Sequence, residues 1–300
     1  MKNQLRELKT IKKEYEKGNN IIQYLKSHSD NGGINSIDDI LISYDFQAGT
    51  YINFYKENTD FVEKYCKSIA NEINILGDFE SIIEVGIGEA TTFSILQKYL
   101  RISPKNKLGF DISLSRLLYA REFLKEQNIK QTTLFTADLF NIPLKENSVD
   151  IVYTSHSIEP NGGREKEALE ELYRITNKYL ILLEPAYELA SEASKKRMDK
   201  HGYVKDLYNT AVGLGYNVKK YELFNYSANN LNPTGLMVIE KNNSTAGFPN
   251  LVCPITHSEL IQKDCTLFSK DNLLAYPVIN NIPCLLENNA IIATHLEKFI

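Results

Sequence analysis

Short apolar runs alternate with amphipathic stretches along the middle of the chain. The runs predict five strands, at 81–85, 107–111, 132–138, 150–156 and 179–183. The segments after the first, second and fourth strands carry apolar residues at the three- and four-residue spacing of helices. Strands that are apolar on both faces and separated by helices predict an α/β fold, with a parallel sheet covered by helices on both sides.

Two further strands are predicted at 217–224 and 235–241, and a short Asn-rich loop joins them. A parallel crossover needs a dozen or more residues, whereas only about ten are available here. We therefore expect these two strands to pair antiparallel.

The chain divides into four predicted segments. They are an N-terminal helical cap or lid at 1–59, an α/β domain at 60–242, a linker at 243–248 and a small β-rich domain at 249–300. A polar, turn-rich stretch at 27–33 interrupts the cap, and Asp60 is expected to cap a helix that continues to Ile75.

Composition is that of an ordinary globular protein, with 43% hydrophobic and 24% charged residues. The net charge of −4 makes nucleic acid an unlikely partner. No apolar run approaches the roughly 18 residues that span a membrane, and the first residues are too polar for a signal peptide. We expect a cytoplasmic protein without a membrane partner. The four cysteines do not form a disulfide framework.

Candidate chemistry begins where the first strand runs into a glycine turn at Gly86 and Gly88. Such a turn lets the backbone approach a ligand closely and directs free N–H groups towards it. A dinucleotide fingerprint would place a third glycine at position 91, where this chain has Thr91. This departure disfavours NAD.

Acidic residues end the next two strands. Asp111 can accept hydrogen bonds from both hydroxyls of a ribose, and Asp138 can accept one from an adenine amino group while Leu139 covers the ring. Each acid alone could be a solvated residue at a strand end. Together with the glycine turn, they predict a ligand of the adenosine type.

At these positions the sequence resembles the class I S-adenosylmethionine-dependent methyltransferases, over roughly residues 60–242. The resemblance rests on the segments 84–88, 109–113, 136–139, 150–159, 167–175 and 180–185. It implies a Rossmann-like, seven-stranded, mostly parallel sheet with an antiparallel last strand, and S-adenosylmethionine as cofactor. The implied cofactor-binding residues are Glu84, Gly86, Gly88, Asp111, Ile112, Asp138, Leu139 and Ser155. Ala90 departs from the family, in which many members have a third glycine.

The fourth-strand segment, 150–159, also bears on the methyl acceptor. It lacks the Asn/Asp-Pro-Pro-aromatic motif of enzymes that methylate base or amide nitrogen. It is similar to members that act on small molecules, so we expect a small-molecule or sugar acceptor, such as a glycan precursor, methylated at oxygen. His156 is the candidate general base. The alternative is that His156 only bonds backbone near the cofactor.

Two polar, aromatic stretches are candidate acceptor-binding regions. Tyr44, Gln47 and Tyr51 fall where the fold often places a lid, and Arg197, His201 and Tyr203 follow the fifth strand, where insertions in this family commonly build the acceptor pocket. The latter three could bind an anionic or hydroxylated acceptor. The helix carrying Arg197 could equally be a charged face towards solvent.

The C-terminal segments 251–260 and 267–286 resemble the small zinc-ribbon-derived family that includes methyltransferase activator subunits. Zinc-binding members have Cys-Pro-x-Cys and a later cysteine, whereas Thr256 and Ser269 stand at two of these places and only Cys253 remains. We expect a metal-free module that stabilises the enzyme in cis. The alternative is an unusual zinc site made of Cys253, His257, Cys265 and Cys284.

Two other functions stay open. The C-terminal resemblance suggests a tRNA or protein methyltransferase, which the acidic charge opposes. The chain could also be a non-catalytic partner that binds S-adenosylmethionine. By analogy, chains that combine these two parts look like bacterial enzymes of surface-glycan or secondary metabolism. The sequence does not set the oligomeric state and is compatible with a homodimer.

Overall fold

The computed structural model describes residues 5–27, 36–241 and 247–299. Most of the predicted turn-rich stretch (28–33) and of the predicted linker (243–246) lies outside the described residues. Within these ranges, five helices precede the sheet: α1 Leu8–Glu16, α2 Ile21–Ser27, α3 Ile37–Phe46, α4 Thr50–Glu57 and α5 Thr59–Asn74.

Seven strands form the main sheet: β1 Ser81–Val85, β2 Asn106–Asp111, β3 Thr132–Thr136, β4 Val149–Ser155, β5 Thr176–Pro185, β6 Asn217–Leu223 and β7 Thr234–Glu240. Their order is β3-β2-β1-β4-β5-β7-β6. Strands β1 to β5 pair in parallel, and β7 is antiparallel to both of its neighbours. The predicted Rossmann-like sheet with its antiparallel strand is confirmed.

Five more helices follow strands of this sheet: α6 Thr91–Gln97, α7 Leu114–Glu126, α8 Glu165–Ile175, α9 Glu192–His201 and α10 Leu207–Gly213. The chain builds β2 and β3 on one side of β1 and then crosses to β4 on the other side. In open sheets of this kind, ligands bind at the carboxyl ends of the strands beside this reversal. We therefore expect a ligand-binding site at the carboxyl ends of β1 and β4.

Helix α5 begins one residue before Asp60, so the prediction that Asp60 caps it is wrong. Asn58 precedes the helix, and Asp60 lies in its first turn. An acid in the first turn interacts favourably with the free N–H groups there, whether or not it occupies the cap position. The pattern of polar residues therefore indicated where the helix begins but not which residue caps it.

The C-terminal residues form a small antiparallel unit, with β8 Ile261–Lys263, β9 Thr266–Ser269, β10 Leu274–Ile279, β11 Ile282–Pro283 and β12 Ile291–Ile292. Strands β8 to β11 follow one another in the order β11-β10-β9-β8, and β12 pairs with β10. The prediction of a small β-rich unit is confirmed.

This unit docks along β3, the edge strand of the main sheet. Cys284 forms a parallel bridge with Thr136, and the N–H group of Leu285 donates to the carbonyl oxygen of Thr136 at 3.1 Å. Leu285 and Tyr276 belong to the same buried cluster as Phe135 of β3. The unit thus covers an edge that would otherwise expose unpaired backbone groups, and it shares the core of the larger domain.

Candidate active site

The glycine turn after β1 is shaped by a close approach from the β4 side. Gly86 has a φ of +67°, and a Cβ atom there would lie 2.3 Å from the Cβ atom of Ser157. Position 86 therefore accepts only glycine. Ala90 also has a left-handed backbone, with a φ of +57°, which costs a residue with a side chain about 1–2 kcal/mol. The family's third glycine is thus explained by backbone conformation rather than by side-chain size.

Asp111 lies buried at the end of β2, beside this turn. One carboxylate oxygen accepts from the N–H group of Gly88 at 3.0 Å, and the other accepts from the N–H group of Ser113 at 2.9 Å. Burial raises the pKa of Asp111, and the nearby Arg116 guanidinium opposes this shift. Because each carboxylate oxygen has two lone pairs, Asp111 keeps acceptor capacity for a ligand.

The corresponding acid of β3 is Asp138. Its carboxylate accepts from the N–H group of Phe140 at 3.0 Å, and burial raises its pKa. Like Asp111, it lies where a parallel strand has just ended, so the two acids come to the same edge of the sheet.

A cavity of about 420 Å³ occupies this edge, a volume typical of small-molecule sites. All eight residues predicted to bind the cofactor line it: Glu84, Gly86, Gly88, Asp111, Ile112, Asp138, Leu139 and Ser155. The topology therefore brings together residues that are spread over more than seventy positions of the chain.

Glu84 forms part of the floor of this cavity. It is buried, and the Tyr153 hydroxyl donates to its carboxylate at 2.9 Å. Burial raises the pKa of Glu84 to about 8. Glu84 therefore carries a proton at neutral pH unless a bound cation favours its charged form.

The N-terminal cap is held against the cofactor edge by two carboxylates, of which Glu89 is buried. Asp45, at the end of α3, accepts from the hydroxyls of Ser113 and Ser115 at 2.6 and 2.9 Å. Glu89 accepts from the N–H groups of Gly49 and Ile52, at 2.9 and 2.8 Å, at the start of α4. Glu89 directly follows Gly88, and Ser113 directly follows Ile112, so the cap is attached to segments that adjoin the lining of the site.

Arg116 is a site residue that the sequence analysis missed. Its side chain is 2% exposed, and its Nε donates to the carbonyl oxygen of Tyr44 at 3.0 Å. The guanidinium carbon lies 4.8 Å from the ring centre of Tyr44 and 4.6 Å from that of Tyr51. The available signal was the position of Arg116 in α7, at helical spacing from Ala120 and Phe123, which are both buried.

We expect Arg116→Met to destabilise the protein by about 3 kcal/mol, because it leaves Glu89 and Asp111 buried without their cation. It should also weaken binding of S-adenosylhomocysteine, since the cap loses the contacts of Tyr44 and Tyr51 with α7. Urea unfolding and calorimetry measure the two effects. Arg101→Met, at an exposed arginine, is the matched control and should change neither. An Arg116→Met protein as stable as wild type would contradict the assignment.

His156 lies at the end of β4 in a left-handed conformation, with a φ of +57°. Its Nδ1 lies 2.6 Å from a carboxylate oxygen of Glu159, and its Nε2 lies 2.8 Å from the hydroxyl of Thr234. Burial by itself would lower the pKa of His156, but Glu159 and Glu184 raise it above its usual value. Both ring nitrogens of His156 thus contact side chains. The alternative interpretation, in which His156 only bonds backbone near the cofactor, does not describe these contacts.

Glu184, at the end of β5, fixes the loop that carries Glu159. Its carboxylate accepts from the N–H groups of Ser157, Ile158 and Glu159 at 3.0, 3.2 and 3.1 Å. Burial raises the pKa of Glu184 to about 7. In Glu159 itself, burial opposes ionisation, but the His156 ring lowers the net pKa of this carboxyl below its usual value.

The predicted acceptor-binding residues are placed differently from one another. Tyr44 and Tyr51 line the cavity, whereas Gln47, Arg197, His201 and Tyr203 do not. The amide of Gln47 donates to Ser43 at 2.9 Å. Tyr203 reaches the site indirectly, through a hydrogen bond to Glu159, and the Arg197 guanidinium lies 5.5 Å from the Tyr203 ring centre.

The candidate ligands of a zinc site are dispersed. Cys265 is exposed, whereas Cys253 and Cys284 are buried, and Nε2 of His257 lies 3.4 Å from Asn141. Within 5–27, 36–241 and 247–299, no group of three or more His, Cys, Asp or Glu residues could hold a metal ion. No helix in the described part of the chain has the length and apolar character that crossing a bilayer requires.

Residues 83–181 match the family described as methyltransferase domain. This match runs from β1 to the middle of β5 and includes the glycine turn and the segments after β2, β3 and β4 that line the cavity. The chain therefore contains a methyltransferase domain and is a methyltransferase. No curated protein matches the chain in sequence.

Solved structures share the fold at low sequence identity. Magnesium protoporphyrin IX methyltransferase from Synechocystis PCC 6803, solved with bound S-adenosylhomocysteine, is 13% identical, with a TM-score of 0.52 over 67% of this chain and 99% of that chain. A protein from Methanococcus maripaludis assigned as an S-adenosyl-L-methionine-dependent methyltransferase is 17% identical, with a TM-score of 0.50 over 67% of this chain and 95% of that chain.

The donor and acceptor groups of the cavity fit S-adenosylmethionine. Asp111 and Asp138 offer carboxylates where ribose hydroxyls and an adenine amino group need acceptors, and Gly86 keeps the turn free of side-chain atoms. Ser157 adds a buried hydroxyl that has no partner among the described residues. S-adenosylmethionine is the cofactor of this methyltransferase.

Proposed function

We propose that this enzyme transfers the methyl group to an oxygen atom of a small-molecule or sugar acceptor. The observation that carries the proposal is the cavity itself, which continues from the cofactor edge to a polar end at His156, Glu159 and Thr234. Tyr44 and Tyr51 of the cap form another part of its wall. A cavity of this size beneath helices suits a small acceptor better than a folded RNA or protein surface.

The cofactor supplies a methyl group on a sulfonium leaving group. Held at Gly86, Asp111 and Asp138, the cofactor would give the methyl carbon to the acceptor oxygen and keep the electron pair of the broken carbon–sulfur bond on sulfur. The acceptor proton passes to Nε2 of His156 by way of the Thr234 hydroxyl, which lies 2.8 Å away. Glu159 orients the imidazole and stabilises the imidazolium that forms. The remaining contribution of the protein is in-line approach and exclusion of water.

A label-transfer assay tests the proposal. Enzyme and tritiated-methyl cofactor are incubated with separate small-molecule, protein and RNA extracts, and Asp111→Asn enzyme serves as the inactive control. We expect label in the small-molecule fraction. Label in protein or RNA would overturn the proposal in favour of the alternative suggested by the C-terminal resemblance. Cofactor binding without label in any fraction would indicate a non-catalytic partner.

We also propose that the C-terminal unit is a metal-free stabilising module. Its remaining cysteine at a ligand place, Cys253, lies 3.3 Å from the Tyr276 hydroxyl and accepts from Asn272 at 3.1 Å. Asn272 also donates to Thr256 at 3.2 Å. Asn272 thus links Cys253 and Thr256, which stand at two places that bind the metal in zinc-binding members. Metal analysis that found one zinc ion per chain would contradict this proposal.

Because the unit shares a core with the sheet, its removal should unfold the enzyme rather than release a module. We expect Leu285→Ala, at a fully buried side chain, to destabilise the whole chain by about 2–5 kcal/mol. Leu273→Ala, at a side chain 36% exposed in the same unit, is the control and should have a much smaller effect. Urea unfolding should show one cooperative transition, and two separate transitions would argue for independent domains.

A further inference from the structure

Three buried polar atoms on the cavity wall lack a hydrogen-bond partner among the described residues. They are Nη2 of Arg116, Oγ of Ser157 and Oδ1 of Asn232. A buried polar atom left without a partner costs about 1–3 kcal/mol, so groups of this kind mark the places where a ligand completes the structure. Arg116 and Ser157 neighbour the glycine turn, where the cofactor binds. Asn232 lies apart from them, in the loop between β6 and β7.

The orientation of the Asn232 amide is determined by its neighbour. Its Nδ2 lies 3.1 Å from a carboxylate oxygen of Glu159, the same oxygen that contacts His156. An ionised carboxylate only accepts hydrogen bonds, so the amide nitrogen must point towards Glu159. The amide oxygen, Oδ1, is then the atom left without a partner. The residue is 8% exposed, so water has little access to it.

The backbone of Asn232 is also held in place. Its N–H group donates to the carbonyl oxygen of Asn229 at 2.8 Å, and its own carbonyl oxygen accepts from the Ser227 hydroxyl at 2.8 Å. Pro233 follows, and its ring limits the conformations of the residue before it. The amide oxygen is therefore a preorganised acceptor and not a side chain that turns to suit any ligand.

We propose that Asn232 is a specificity-determining residue whose Oδ1 accepts a hydrogen bond from a neutral hydroxyl group of the methyl acceptor. This inference rests on the proposed function and narrows its substrate class. A carboxylate or phosphate oxygen would meet lone pairs of both Asn232 and Glu159, so an anionic group is disfavoured here. An ammonium group has three N–H groups to satisfy, whereas Oδ1 of Asn232 is a single acceptor atom that lacks a partner among the described residues. A hydroxyl donates one hydrogen bond and needs no counter-charge.

Matched fragments test the chemistry of this position. Benzyl alcohol, benzylamine and benzoate share an aromatic ring that suits the cavity wall of Tyr44, Tyr51 and Phe61, and they differ in the group that would meet Asn232. Their affinities for enzyme loaded with S-adenosylhomocysteine are measured by NMR titration. We expect benzyl alcohol to bind at least about 5-fold more tightly than either charged fragment, as one additional hydrogen bond implies.

The variants connect this preference with Asn232. In Asn232→Leu, which keeps the size of the side chain, benzyl alcohol should lose about 5–10-fold in affinity and its advantage should disappear. Asn230→Leu, at an exposed position in the same loop, should keep the wild-type affinity for benzyl alcohol and the preference for it over the charged fragments. A preference for benzoate or benzylamine in the wild type, or an unchanged affinity in Asn232→Leu, would overturn the inference.

Two measurements separate failure of this inference from other failures. Calorimetry with S-adenosylhomocysteine should give Asn232→Leu the wild-type affinity, within about 2-fold. If Asn232→Leu proves unfolded, Asn232→Asp takes its place. That variant keeps an oxygen acceptor and adds charge, so it should shift the preference towards benzylamine, and no shift would count against the inference. Label that appears only in RNA or protein would remove the proposed function. Label in the small-molecule fraction at an unchanged rate in Asn232→Leu would remove this inference alone.

Discussion

Asp111→Asn is expected to weaken the binding of S-adenosylhomocysteine by about 100-fold. The carboxylate already accepts hydrogen bonds from the N–H groups of Gly88 and Ser113, and it is placed to accept two more from ribose hydroxyls. In the asparagine side chain, an NH2 group replaces one carboxylate oxygen, so one acceptor is lost. This NH2 group would also point at the N–H group of Gly88 or Ser113, and two donors cannot form a hydrogen bond. The loss of two hydrogen bonds to a charged acceptor corresponds to about 3 kcal/mol or more. Calorimetry measures the change directly.

Asp150 offers a control that matches Asp111 in burial and chemistry. Its carboxylate is also buried and accepts from the N–H group of Glu80 at 2.8 Å and from the amide of Asn177 at 2.7 Å. However, Asp150 lies near the start of β4, at the opposite edge of the sheet. Asp150→Asn should therefore reduce stability and leave cofactor affinity near that of wild type. An Asp111→Asn enzyme that binds as tightly as wild type would refute the assignment of the cofactor edge.

His156→Gln is expected to lower the rate of methyl transfer by about 100-fold or more, the range typical for loss of a general base. The affinity for S-adenosylhomocysteine should change only slightly. His295→Gln, at an exposed histidine of the C-terminal unit, is the control and should keep the wild-type rate. If His156→Gln weakened cofactor binding and left turnover unchanged, the role of base would be ruled out.

The dependence of rate on pH tests the same role independently. Burial lowers and Glu159 raises the pKa of His156, with a net rise, and only the neutral ring can accept a proton. The rate should therefore increase as pH rises through this raised pKa. Glu159→Gln removes the main raising influence, so the rising limb should move to lower pH. A purely structural role for the pair would lower the rate without moving the limb.

The contribution of His156 to the stability of the folded protein should change with pH in the opposite direction to the rate. A histidine whose pKa is raised on folding stabilises the folded protein below its unfolded pKa, and this contribution disappears as pH rises through the folded value. The contribution of the His156–Glu159 pair to the free energy of unfolding should therefore decrease with increasing pH over the window in which the rate increases. Urea unfolding of wild type and His156→Gln across this window measures the difference.

Periodicity and chain length were sufficient for the architecture. Strands apolar on both faces must be buried between layers, which predicts a parallel sheet, and the loop at 224–233 is too short for a parallel crossover between the last two strands. Asp111 and Asp138 followed from the same logic. Because parallel strands end at a common edge, residues that end consecutive strands are brought together whatever their separation in the chain.

The acceptor end of the site depends on contacts that no local pattern encodes. Asn232 meets Glu159 across 73 positions, and Arg116 meets Tyr44 across 72. Arg197 and His201 had residue types suited to an acceptor site, but α9 places them outside the cavity lining. Likewise, the resemblance of the C-terminal unit did not specify that it would join the core beside β3.

The difference between the two ends of the site has a physical cause. Backbone hydrogen bonding between parallel strands is repetitive, so short apolar runs and a glycine turn are enough to align the ends of β1, β2 and β3. The position of a loop or cap side chain depends instead on the packing of whole helices and on which buried polar groups find partners. These interactions join residues that are far apart in the sequence, so they are determined only by the tertiary structure.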